Sequence, residues 1–199
     1  MKDEGLYPFE SELANKLSSF IFHPSSKNKR MEITLEELLK SRDERHEHQM
    51  ALLKEHPGLT LVCLTVVMPG SVKRNVQSLV AGHAGLDALR ERFAGETVAV
   101  EERDLDTGYE VYLLTSVPPL EAKKRACEIE EQHELGRLLD IDVLDEQGVP
   151  LSRALVGRDA RRCLICEGDA RCCMRSHAHT LEELQTRINE MIDAYVQRI

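Results

Sequence analysis

Hydrophobic positions along this chain change period several times, and each change marks an element. Thr34 with Glu37 three residues on forms a capping box, so a helix starts there. Leu35, Leu38 and Leu39 open its apolar stripe, Met50 and Leu53 resume it, and Pro57-Gly58 ends it. Leu59–Met68 is a continuous apolar run rich in Val and Thr, the pattern of a buried central strand. Val72, Val76, Leu79, Val80, Leu86, Leu89 and Phe93 return to helical spacing and predict a helix over about 72–93, with His83 near its stripe. Thr97–Glu102 alternates as a strand, Asp106-Thr107-Gly108 is a hairpin turn, and Tyr109–Thr115 is the second strand. Pro118-Pro119 suits the first turn of another helix, whose buried side is expected to carry Leu120, Ala126, Cys127 and Ile129. Gly136 breaks that helix, and a strand through Asp140 and Asp142 follows. A last helix is capped by Thr180 with Glu183 and carries Leu181, Leu184, Ile188, Met191 and Ile192.

From residue 59 the order is therefore β-α-β-β-α-β. It predicts an α+β protein with a ferredoxin-like core, an antiparallel sheet with both helices on one face. An N-terminal helix precedes this core, and a C-terminal Cys/Arg segment plus helix follows it. Residues 1–30 read as an extension ending in the Pro/Ser/basic linker His23–Arg30, and 31–199 as one domain.

Composition narrows the class. The 199 residues are 42% hydrophobic and 31% charged, which suits a soluble globular protein. A formal net charge of −9 argues against nucleic-acid binding. No apolar run approaches a membrane span and the N-terminus lacks a signal-peptide core, so a cytoplasmic location with reduced cysteines is expected. Cys63 and Cys127 read as packing residues.

Candidate chemistry concentrates in three places. Asp140 and Asp142 lie at i and i+2 of a strand, so both side chains point to one face while Ile141 and Val143 point to the core. Such a pair can hold Mg²⁺ against a substrate's phosphates, or can simply be a solvated strand face. Beyond it come Arg153, Arg158, Arg161 and Arg162, four Arg against one Asp between 153 and 162, a local reversal of the chain's acidity. Arginine suits phosphate recognition through its planar fork, and Arg137 adds a cation beside the carboxylates; a solvated basic loop is the other reading. Third, Cys163-x-x-Cys166 followed by Cys173 and His179 has the donors of a Cys₃His zinc site, with buried free thiols as the alternative. In the first helix, Arg42, His46 and Gln49 interrupt the apolar stripe, as a turn lining a cleft would; Arg42-Asp43-Glu44-Arg45 is equally consistent with an intrahelical salt-bridge cluster. Lys73 follows the Pro69-Gly70 turn, where strand, turn and helix N-terminus make a plausible anion site.

Ser41–Arg45 with Gln49, Thr65–Gly70 with Lys73, Leu135–Val143, Ser152-Arg153 and Arg161–Cys166 occur in one order, and together they resemble the apo-citrate lyase phosphoribosyl-dephospho-CoA transferase (holo-citrate lyase synthase) family over about 32–195. The Gly-Arg-Leu-Leu-Asp-Ile-Asp segment also looks like the Asp-x-Asp strand of hydroxymethylpterin pyrophosphokinases, which are ferredoxin-like and bind two Mg²⁺ there. The first resemblance implies a nucleotidyltransferase-type enzyme. It would move a phosphoribosyl-dephospho-CoA group from 2′-(5″-triphosphoribosyl)-3′-dephospho-CoA to a serine of the citrate lyase acyl carrier subunit, releasing diphosphate. On that reading Asp140 and Asp142 hold Mg²⁺ and act with Arg137. Arg153, Arg161 and Arg162 neutralise donor phosphates, and Arg42, Arg45 and Lys73 contact the CoA diphosphate or the carrier. Two alternatives stand beside it: a non-catalytic, zinc-stabilised carrier-binding module, and the same transfer onto another carrier such as that of malonate decarboxylase.

Overall fold

Strand β1 (Thr60–Val66) sits inside a four-stranded antiparallel sheet of order β2-β3-β1-β4, and both of its faces are covered. The computed structural model describes residues 31–198; the extension expected over 1–30 lies outside the described residues. Helix α1 (Leu35–Glu55) precedes β1. Helix α2 (Val76–Arg92), the hairpin β2 (Thr97–Leu105) and β3 (Gly108–Thr115), and helix α3 (Pro119–Gln132) follow it. A 3₁₀ turn (Gly136–Leu138) leads into β4 (Leu139–Leu144). A second 3₁₀ turn (Arg153–Val156), the short helix α4 (Ala170–Ser176) and helix α5 (Leu181–Arg198) complete the described chain. This is the expected α+β class with an antiparallel sheet.

The period of two along β1 sorts its side chains between two apolar layers. Val62 and Leu64, with Val111, Leu113, Ile141 and Val143, pack against Leu79, Leu86, Ala126, Ile129 and Ile188 of α2, α3 and α5. Leu61 and Cys63, with Tyr112, Leu114 and Leu144, meet Leu52 of α1 on the opposite face. Burying a side chain such as Leu64 or Phe93, both fully covered, contributes about 1.5–3 kcal/mol. Burial holds the Cys63 thiol far above its ordinary range and also raises that of Cys127, as befits packing cysteines.

Two elements differ from the pattern. Helix α2 begins at Val76 because Asn75 and Ser78 cap one another: the Ser78 amide donates to Asn75 Oδ1 at 2.8 Å and the Asn75 amide to Ser78 Oγ at 2.9 Å. Val72 instead bridges to Glu32. On α3, Leu120 is 55% exposed, and the buried face carries Ala122, Ala126, Cys127 and Ile129 together with two charged residues, Lys123 and Glu130.

Those two charges close the outer edge of β4. Glu130 Oε1 accepts from the Ile141 amide at 2.8 Å, and Lys123 Nζ donates to the Ile141 carbonyl at 3.1 Å. Arg161 Nη2 donates to the Leu139 carbonyl, and the Leu151 amide to that of Val143 at 2.8 Å. The outward groups of this edge strand are thus satisfied by side chains and a loop rather than by a fifth strand. Gly136 makes the turn into β4 fit: a Cβ there would stand 2.5 Å from the Ile129 carbonyl oxygen and 2.6 Å from that of Glu130. Among the described residues, no helix is long and apolar enough to cross a membrane.

Candidate active site

Asp140 and Asp142 share the α1-side face of β4, opposite Thr65 and Cys63 of β1. Their side chains are about half exposed, at 52% and 46%. Burial, and then the neighbouring Asp140 charge, holds the Asp142 carboxyl above its usual range against the pull of Lys123, Arg45 and Arg161. Two like charges are therefore held together on a rigid strand, with hard oxygen donors facing outward. Magnesium is commonly bound by one or two carboxylates plus substrate phosphates, so this pair fits its demands.

Arg161 joins the carboxylates to a cleft around the edge of β4. Its Nη1 lies 3.1 Å from Asp140 Oδ1, while Nη2 donates to the carbonyls of Leu139 and Arg137, the latter at 2.8 Å. The cleft, about 610 Å³, is lined by Arg137, Arg153, Arg158, Arg161 and Arg162, with Glu130 and Glu131 among its walls. Most of these arginines are already engaged. Arg153 pairs with Glu130 at 2.5 Å and with Glu131, Arg158 with Glu131 at 3.1 Å and Glu128 at 3.3 Å, and Arg162 with Glu167 at 2.7 Å. Arg137 is the exception: among the described residues no carboxylate pairs with it, and its Nη2 donates to the Cys163 carbonyl at 2.6 Å. Burial, then the charges of Arg161, Arg153 and Arg162, lowers its proton affinity.

Arg42, Arg45 and Lys73, expected at the CoA diphosphate or the carrier, do not line this cleft. Arg45 reaches across from α1 to the buried Glu110, Nε to Oε1 at 2.8 Å, and Tyr112 donates to the same carboxylate at 2.5 Å. Its charge still reaches Asp142, on the same sheet face. Arg45 thus leaves the intrahelical cluster for a bond between helix and sheet; Glu44 pairs with Lys40 at 3.6 Å. Lys73 Nζ donates to the Met68 carbonyl at 2.6 Å, and burial, with Arg42 nearby, lowers its pKa. Arg42 and Lys73 are therefore neighbours, outside the cleft. The Gly70 turn ahead of Lys73 packs against Leu181, 3.2 Å from where a Cβ would sit, and Asn75 occupies the first-turn amide of α2. Leu181 thus lies against that turn and one first-turn amide of α2 is taken, while Gly70 and Ser71 stay exposed. His133 closes α3: its Nδ1 accepts from the Leu135 amide at 3.0 Å, and its ring lies against Tyr195.

Beside the cleft, Cys163, Cys166, Cys173 and His179 bring their ligand atoms within 4.8 Å of one another, a group able to hold a metal ion. The segment folds as a tight loop, with the Cys163 amide donating to the Gly168 carbonyl at 2.7 Å and the Ala170 amide to that of Arg161 at 2.8 Å. Asp169 caps α4, which presents Cys173. Burial raises the Cys163 thiol, but the amides of Cys166 and Ile165 and the neighbouring thiols outweigh it and bring it down to about 7. Hydrogen bonding to Cys166, with burial, pushes Cys173 up to about 12.

The residues that spacing alone did not single out are Lys123, Glu130 and Glu131. Lys123 and Glu130 lie seven apart on one face of α3, a spacing visible in the sequence, yet their burial depends on where β4 docks.

Scaffold and site together define an α+β protein with a carboxylate pair, an arginine-lined cleft and a sulfur-rich cluster along one sheet edge. The chain belongs to the family of apo-citrate lyase phosphoribosyl-dephospho-CoA transferases, whose model matches residues 33–195. It is similar to a Vibrio cholerae protein, 38% identical over 169 residues that make up 83% of this chain and 94% of that protein. A Streptococcus pyogenes protein is 34% identical over 170 residues, covering 83% of this chain and 88% of that protein. Both are named "probable apo-citrate lyase phosphoribosyl-dephospho-CoA transferase".

Proposed function

We propose that this protein transfers the phosphoribosyl-dephospho-CoA group from 2′-(5″-triphosphoribosyl)-3′-dephospho-CoA to a serine of the apo-citrate lyase acyl carrier subunit, on a ferredoxin-like scaffold. The observation that carries the reading is the placement of Asp140 and Asp142 on one strand face, joined through Arg161 to a cleft in which Arg137 has no carboxylate partner among the described residues. Family membership supports a transferase acting on apo-citrate lyase, and this geometry supports an anion-binding edge for it.

In the proposed step the serine oxygen attacks the phosphorus attached to the ribose. The bond from that phosphorus to the bridging oxygen breaks, diphosphate leaves with that oxygen, and the serine proton is released. Asp140 and Asp142 would hold Mg²⁺, which when bound neutralises triphosphate charge. Arg137 offers its remaining N–H donors to a phosphate in the cleft. Arg153 and Arg161 keep the cleft in shape through Glu130 and the β4 edge, so that positioning and fixed charge contribute most of the rate. Arg162 stands at the mouth, its side chain 70% exposed, where exchanging Glu167 for a donor phosphate costs little. Arg42, Arg45 and Lys73 bear on the carrier or the CoA end rather than on the reacting phosphate. The setting is cytoplasmic, and the cofactors of this reading are Mg²⁺ at the carboxylates and Zn²⁺ at the sulfur cluster.

The test is mass spectrometry of the apo carrier subunit after incubation with this protein, the triphosphate donor and Mg²⁺. The expected result is a mass gain of the donor less diphosphate, abolished by EDTA. No gain, with a carrier competent in a control, would overturn the reading in favour of another carrier or of a non-catalytic carrier-binding module.

A further inference from the structure

The sulfur cluster and the arginine cleft share the same stretch of chain. Cys163 and Cys166 line the cleft together with Arg161 and Arg162, and Arg137 Nη2 is fixed by the Cys163 carbonyl. Arg161 in turn holds the Ala170 amide through its own carbonyl, at the base of the helix that carries Cys173. Whatever tethers these four ligands also tethers the guanidinium groups of the cleft.

The donor geometry suits one ion. A tetrahedral zinc with Zn–S bonds of about 2.3 Å places its sulfurs roughly 3.8 Å apart. Cys166 Sγ and Cys173 Sγ are 3.6 Å apart, too far for a disulfide, whose bond is about 2.05 Å. Among the described residues His179 Nε2 is buried and has no hydrogen-bond partner, although a buried ring nitrogen ordinarily finds one. His179 belongs to the same cluster as the three cysteines. A Cβ at Gly168 would stand 3.4 and 3.5 Å from the sulfurs of Cys166 and Cys173, so the loop wraps closely around the ligands. The adjacent Cys172 is exposed and lies outside the group.

We propose that Cys163, Cys166, Cys173 and His179 bind one structural Zn²⁺ that fastens the Arg161–Ala170 loop against β4 and so sets the position of Arg137 and Arg161 in the cleft. The role of the cleft in donor binding rests on the function proposed above; the zinc site and its hold on the loop do not.

Metal analysis of the full-length, reduced protein should find about one zinc per chain. Exchange for Co²⁺ should give the visible absorption of a tetrahedral ion and sulfur-to-cobalt charge transfer. Cys173→Ser and His179→Ala should each lose most of the metal, His179→Cys should retain it, and Cys172→Ser should leave it unchanged. Stripping zinc should speed amide exchange across 160–180 and around Arg137 at least about tenfold, while the α2 and β1 amides stay protected. A protein that takes up neither Zn²⁺ nor Co²⁺, or one in which Cys172→Ser and Cys173→Ser lose metal alike, would overturn the ligand set. Bound zinc whose removal leaves exchange around Arg137 unchanged would overturn the fastening role. Neither readout depends on transfer activity, so a failure of the transferase reading is seen separately.

Discussion

Arg161 and Asp140 are bound to one another at 3.1 Å, and the same guanidinium also holds the carbonyls of Arg137 and Leu139. One side chain therefore orients a carboxylate of the proposed metal pair, the turn that carries Arg137, and the start of the edge strand. Arg161→Ala should cost about 2 kcal/mol or more, because it leaves strand and turn carbonyls without donors. Urea unfolding should show a lowered midpoint with little change in slope.

Asp140→Asn and Asp142→Asn test the chemistry apart from the fold. Each keeps the shape of its side chain on the strand face, so both variants should fold, with Asp142→Asn no less stable than wild type. Transfer to the carrier should fall about 100-fold or more, since fixed charge at the reacting phosphates is removed. Wild-type turnover in both variants would refute the metal role.

Glu130 links the core to the cleft. It is buried, accepts from the Ile141 amide and pairs with Arg153. Glu130→Ala should destabilise by about 1–3 kcal/mol, by leaving the Ile141 amide without its acceptor and Arg153 with Glu131 alone. Glu130→Gln keeps an acceptor for Ile141 and should cost less. Thermal melts of the two variants should fall in that order.

The Asp142 carboxyl binds its proton more tightly in the folded chain than an ordinary aspartate does. Its contribution to stability is therefore fully present in acid, below the unfolded value, and is lost as pH rises through the raised folded value. Asp142→Asn does not titrate. In EDTA the variant should be more stable than wild type near neutral pH, and that advantage should vanish in acid. Melting temperatures across the pH range would show it.

Gly136→Ala should destabilise by about 1–3 kcal/mol, since the new methyl would press on two backbone carbonyls of α3. Turning Arg137 away from the Cys163 carbonyl should follow. A variant with unchanged melting temperature and an intact crystal position for Arg137 would contradict this account of the turn.

Local signals carried much of this structure. Thr34 with Glu37, Thr180 with Glu183, and the alternation through Asp140–Val143 are short-range patterns, and each appears where the pattern placed it. Cys163, Cys166, Cys173 and His179 also gather as their spacing suggested. What eluded local reading was partnership across the chain. Arg153 and Arg161 look like free cations in the sequence, but their partners Glu130 and Asp140 lie 23 and 21 residues away. Lys123 and Glu130 resemble ordinary surface charges of a helix until β4 is laid beside them. Helix α2 starts at Val76 rather than at Val72 because the reciprocal Asn75–Ser78 cap, not the apolar spacing, sets its first turn.

The covered edge of β4 has one last consequence. Its outward carbonyls at 139, 141 and 143 and the Ile141 amide are spoken for by Arg161, Lys123, Leu151 and Glu130. A visiting polypeptide therefore finds no ladder to extend there. Any protein that docks along this rim must be recognised through side chains, by charge and shape, and can leave again without unzipping a sheet.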